Sequence, residues 1–106
     1  VAGRRAKRFR ANQKIPVGFL GSGFRFSGDL LDLSTTGALI RSSETPEVGA
    51  VGRLAIAVGY ETSRAVAIVR RVIPGLGIAL EFSHMGPRDR ELLRRLMLRL
   101  DAPPRG

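Results

Sequence analysis

Cysteine and tryptophan are absent from this chain, histidine occurs once, and the aromatics amount to five Phe and one Tyr. Without cysteine there are neither disulfides nor thiolate metal sites. The lone imidazole, His84, has no second histidine with which to share a metal and no thiol to activate. No apolar run approaches the roughly 20 residues that a membrane span needs. Nor does an apolar stretch follow the basic N-terminus, as a secretory signal would require. These absences favour a cytoplasmic setting, and Val1 in place of methionine is expected either of a trimmed chain or of a piece of a longer one.

Acidic residues are also scarce, and their distribution is informative. Lys and Arg number 18 against 9 Asp and Glu, and all but two of the cations are arginine. Arginine's planar fork suits phosphates and base edges better than lysine does. Residues 1–14 carry Arg4, Arg5, Lys7, Arg8, Arg10 and Lys14 with no acid, leaving a net +3 on the other 92 residues of the net +9. An anionic partner is therefore drawn to the N-terminal segment. A solvated basic tail would read the same way from charge alone.

Hydrophobic periodicity changes once, near residue 84. Before it, alternation with period two marks half-buried strands. Leu54, Ile56 and Val58 alternate with smaller or polar neighbours, as do Leu76, Ile78, Leu80 and Phe82; Ile15, Val17 and Phe19 make a weaker set. The stretches 25–33, 38–42 and 64–72 complete six candidate strands. Turn residues separate them at 21–23, 45–49, Gly59 and Pro74-Gly75, the last suited to a type II turn. After Gly86-Pro87 the spacing is helical, with Leu92, Leu93, Leu96, Met97 and Leu100 on one stripe and Leu98 off it. The expected fold is all-β with one helix: a six-stranded antiparallel β-barrel and a C-terminal helix over about 86–100. The expected division is a basic segment at 1–14, the barrel and helix at 15–101, and a tail at 102–106.

Parts for catalysis are missing. Ser34 has no base placed near it in sequence, and the neighbouring Asp29 and Asp32 have no second acidic pair to work with. The GSG at 21–23 lacks the lysine and helix of a phosphate loop. The chain is expected to be no enzyme and to hold no metal or cofactor. Two features remain: RRAKRFR at 4–10 and DLSTTG at 32–37. On a strand, Asp32 and Ser34 would face outward together, with Leu33 inward. Gly37 can take a glycine-only conformation or let a ligand approach its backbone. Alternatively, Asp32, Ser34 and Thr35 could simply satisfy turn amides. Arginines bind phosphates and the O6 and N7 atoms of guanine, and a carboxylate can accept from guanine's N1–H and amine, so the two features together fit a guanine nucleotide.

RRAKR at 4–8 followed by DLSTTG at 32–37 resembles the RxxxR and DxSxxG signature of PilZ domains. The likeness extends over VGRLAIAV at 51–58, LGIALEFS at 76–83 and the terminal helix. It implies a bacterial receptor for the second messenger cyclic di-GMP, built on a six-stranded barrel with a C-terminal helix. On that resemblance Arg4 and Arg8 would contact phosphates and guanine edges, Asp32 and Ser34 would hydrogen-bond a guanine, and Gly37 would keep the turn tight. Arg5 and Arg10 are auxiliary ligand-binding candidates, and Gly3, where some members carry a further arginine, implies one ligand per domain. Repulsion among the six cations is expected to keep the segment from packing until the ligand orders it, a switch for a downstream protein or a fused domain to read. The alternatives are a basic barrel binding nucleic acid nonspecifically, against which the few aromatics argue, and a PilZ-type adaptor that binds no nucleotide.

Overall fold

A computed structural model describes residues 6–101. The chain forms β1 (Phe9–Arg10), β2 (Pro16–Gly21), β3 (Phe24–Leu33), β4 (Gly37–Arg41), β5 (Val51–Val58), β6 (Glu61–Ile73), β7 (Gly77–His84) and α1 (Pro87–Asp101). Hydrogen bonding runs β3–β2–β5–β6–β7–β4, and β4 returns to β3. The sheet therefore closes into the expected six-stranded antiparallel barrel, which leaves no long edge exposed. The two-residue β1 is additional and was not expected from the sequence. It pairs Phe9 with Leu33 and Arg10 with Asp32, beyond the stretch of β3 that β2 covers.

Alternation builds the core. Val17 and Phe19 of β2, Leu54 and Ile56 of β5, and Ile78 and Leu80 of β7 all point inward and are buried. Leu76 does not join them; it lies in the turn before β7 and is 38% exposed. That turn has the expected form, with Gly75 at φ 76° and the Leu76 N–H donating to the Ile73 carbonyl at 3.0 Å, as a type II turn requires.

The helix closes the core with Leu92, Leu93, Leu96 and Met97. Its first turn is tied to β6: Asp89 Oδ1 accepts from the Arg64 N–H at 2.9 Å, and Ser63 Oγ donates to the Asp89 carbonyl at 2.9 Å. Leu98, off the buried stripe, is 57% exposed.

One irregularity matters for function. Along β3 and β4, Asp29 faces Arg41, Leu30 faces Ile40, and then Asp32 faces Leu39, so Leu31 is an extra residue. Such a bulge shifts which side chains point outward. With strict period two, Leu30 and Leu33 could not both be buried. The bulge allows both, and leaves Asp29 and Asp32 on the same outer face.

Candidate functional site

The basic segment enters the barrel wall through small attachments. Lys7 Nζ lies 3.1 Å from Asp101 Oδ1 at the end of the helix and 5.0 Å from the Phe9 ring centroid. Phe9 packs against the core, and the Ala11 N–H donates to the Leu31 carbonyl at 2.8 Å. Residues 8–11 thus lie along β3, with Lys7 reaching the end of the helix. The reason is local neutralisation: Asp101 and Asp32 supply the acids that the segment itself lacks.

Arg8 carries the principal contact. Its Nε donates to Asp32 Oδ1 at 3.1 Å, and its Nη2 forms an ion pair with the same oxygen at 2.8 Å. The Arg8 side chain is 54% exposed and that of Asp32 is 17% exposed. The structure therefore brings together the second arginine of the RxxxR pattern and the acid of DxSxxG, 24 residues apart in sequence. Arg4 and Arg5 lie outside the described residues.

Beside this pair is an open hollow of about 650 Å³ on the outer face of β3 and β4. Arg10, Lys14 and Arg41 stand around it with Asp29 and Asp32, and Leu39 and Leu76 supply apolar surface. Three cations against two carboxylates, with Arg8 at the margin, give a site suited to an anion that also offers hydrogen-bond donors. Its volume lies within the range of small-molecule sites. Sequence reasoning missed Arg41 as a member. The Asp29–Arg41 pairing across the strands is what reveals it, and strand pairing is not visible before the fold is known.

Ser34 corrects the expectation of an outward-facing acid–hydroxyl pair. It is 1% exposed, because β3 ends at Leu33 and the chain turns inward. Ser34 Oγ accepts from the Thr36 and Gly37 N–H groups, each at 3.2 Å. The Ser34 N–H donates to the Gly37 carbonyl at 2.9 Å. Its hydroxyl is thus occupied in satisfying the turn, the alternative role the sequence had left open.

Gly37 also acts differently from the expectation. Its φ is not in the left-handed region. It opens β4 opposite Glu81, where a Cβ would run into the Leu80 carbonyl oxygen. The close approach that requires glycine is that of β7's backbone. Among the described residues no three His, Asp or Glu side chains gather as a metal group, and no helix is long and apolar enough to cross a membrane.

A closed barrel capped by a helix, with an arginine just before β1 joined to an aspartate of β3, has the architecture of a PilZ-type module, and PilZ domains are non-catalytic receptors or adaptors. The sequence profile of the PilZ domain matches residues 3–99, and the chain belongs to that family. The PilZ domain of YcgR from Escherichia coli, solved with c-di-GMP, superimposes with a TM-score of 0.73 at 19% identity, covering 93% of this chain and 92% of that one. The PilZ domain of CeSA from a cellulose-synthesizing bacterium gives 0.69 at 22%, over 92% of this chain and 100% of that one. The Bacillus subtilis inhibitor of motility MotI/DgrA gives 0.73 at 18% over 91% of this chain, which spans only 50% of that protein's chain. At these identities the likeness establishes the fold. No curated protein matches the chain.

Proposed function

We propose that this domain binds cyclic di-GMP in the hollow on β3 and β4, with the Arg8–Asp32 pair at its margin. The observation that carries the reading is that pair. Both Arg8 nitrogens engage Oδ1 of Asp32, which leaves Oδ2 without a partner among the described residues. A carboxylate so held can accept from a guanine N1–H and amine while the guanidinium turns to a phosphate or to the guanine acceptor edge. Arg4 serves as the second phosphate and guanine contact, with Arg5 and Arg10 as auxiliaries. Ser34 and Gly37 serve by holding the turn that positions Asp32. A relative of the same fold was solved with this ligand, which supports the choice of nucleotide.

For residues 7–11 the ordering on ligand binding takes the form of an exchange of partners on β3. Arg8 gives part of its contact with Asp32 to a ligand phosphate. A downstream protein or a fused domain then reads the changed surface. Titration calorimetry with cyclic di-GMP tests the assignment. Saturable heat near one ligand per domain, with amide shifts at residues 8–14 and 29–41, is the expected result. Absence of heat and of shifts at high micromolar ligand would overturn it and leave the adaptor role.

A further inference from the structure

The opposite part of the barrel wall carries a second cationic surface that the signature does not account for. Leu20 on β2 faces Arg25 across β3 and Arg53 across β5. One row along the same outer face, Gly18 lies between Ser27 and Ala55, and Ala55 faces Arg64 on β6. Nothing lies within 4 Å of where a Gly18 Cβ would be. The result is a shallow saddle of about 570 Å³, floored by Gly18 and Ala55 and walled by three exposed arginines. Leu20 stands among them, 47% exposed.

What sets these three arginines apart is that no carboxylate lines the saddle with them, whereas Arg10 and Arg41 share their hollow with Asp29 and Asp32. Arg8, Arg70, Arg88, Arg94 and Arg95 each pair with an acid of the chain. Among the described residues no ion pair includes Arg25, Arg53 or Arg64, and their side chains donate no hydrogen bond. Three like charges over two neighbouring rows of a sheet repel one another, a cost that an anionic partner would remove.

We infer that this saddle is a docking surface for an acidic protein segment that carries an apolar side chain. Carboxylates of the segment would meet Arg25, Arg53 and Arg64, and its apolar side chain would lie over Gly18 against Leu20. The mixture of arginine and exposed leucine decides between classes of partner. Protein interfaces enrich arginine around an apolar centre. A nucleic acid backbone would leave Leu20 against phosphate, and the saddle has no exposed aromatic on which a base could stack. The surface involves the first half of β3 with β2, β5 and β6, whereas the nucleotide hollow uses the second half of β3 with β4. Both can therefore be occupied together.

The test uses an N-acetylated peptide alternating Glu and Leu, added to the isotope-labelled chain and followed by amide chemical shifts. Saturable shifts at Gly18, Leu20, Arg53 and Ala55 are expected, at least about tenfold weaker in Arg53→Glu. Leu20→Ser should weaken them about threefold. Cyclic di-GMP titration of Arg53→Glu should match that of the parent, which checks the fold and keeps this outcome separate from the nucleotide assignment. No shifts at millimolar peptide, shifts insensitive to Arg53→Glu, or equal shifts with a peptide alternating Lys and Leu would each overturn the inference. So would stronger, Arg53-dependent shifts on this face with duplex DNA.

Discussion

The two halves of the DLSTTG turn are held by opposite means. Asp32 lies on the outer face, partly covered by its partner Arg8, which is itself more than half exposed. Ser34 and Gly37, two and five residues on, are buried, with their polar groups matched inside the turn and to β7. An exposed pair of charges contributes roughly 0–1 kcal/mol to stability. A ligand can therefore displace such a pair at little cost to the fold. A buried hydroxyl serving two amides has no such freedom, since losing it leaves donors unpaired. One short motif thus contains a contact that can be given up at little cost and a scaffold that holds it in place.

Gly37→Ala should break the scaffold half most severely. The added Cβ meets backbone of β7, which cannot move aside without opening the barrel, and a loss of about 2–4 kcal/mol is expected by denaturant unfolding. Gly18→Ala is the control, since open space surrounds that position, and its stability should change by about 0.5 kcal/mol or less. Equal losses at the two glycines would contradict the close-approach argument.

Arg8→Ala should have its large effect on the other observable. Cyclic di-GMP affinity should fall by ~2–4 kcal/mol in calorimetry, through loss of a charge-assisted contact. Its unfolding free energy should fall by less than about 1 kcal/mol. A variant that loses stability as heavily as Gly37→Ala would place Arg8 in the scaffold and dissolve the contrast.

Much of this arrangement could be read before any coordinates. Period-two alternation located six strands because one face of each is buried, and the helix followed from its leucine stripe. What escaped was whatever depends on strand pairing. Leu31 looks like an ordinary strand residue, yet the bulge it makes is what turns Asp29 and Asp32 to one face. Ser34 was assigned outward because period two was carried one residue past the strand's end at Leu33. The strand β1 is only two residues long, too short to show a pattern, and depends on the edge that β3 offers it. Arg41 could not be placed at the hollow without knowing that β4 returns to β3.

Ser34→Ala separates the two roles within the motif. Removing Oγ leaves the Thr36 and Gly37 N–H groups without their acceptor, for a loss of about 1–3 kcal/mol of stability. Under conditions where the variant is folded, its nucleotide affinity should stay close to that of the parent. A large affinity loss in a fully folded Ser34→Ala would instead return Ser34 to the ligand. Asp32→Ala should do the reverse. It should lower affinity for cyclic di-GMP by about 1–3 kcal/mol more than for the adenine analogue, as measured by competitive titration. Equal losses for both ligands would reduce Asp32 to an anchor for Arg8.

The smallest effect expected tests how little an exposed ion pair contributes to the fold. On the helix, Glu91 Oε2 lies 2.7 Å from Arg94 Nη2, and Arg95 Nε is 3.5 Å from the same oxygen. Hydrogen bonds from Arg94, with its charge and that of Arg95, hold the Glu91 carboxyl at about 2, against an ordinary 4.5. A depressed carboxyl stabilises the folded chain above its unfolded value, and that contribution fades as pH falls from about 4.5 towards about 2. Carbon-detected titration should place the Glu91 midpoint near 2 in the parent. In Arg94→Gln the midpoint should move up from about 2 towards 4.5, and by linkage the variant should melt below the parent at neutral pH. The separation should be smaller than that of Ser34→Ala, because solvent screens the pair and Arg95 still faces the carboxylate. The two melting curves should draw together as the solution is acidified through that window. A thermal shift at neutral pH as large as that of Ser34→Ala would show that exposed pairs here hold the fold as firmly as the buried hydroxyl, and the distinction between Arg8 and Ser34 would lose its basis.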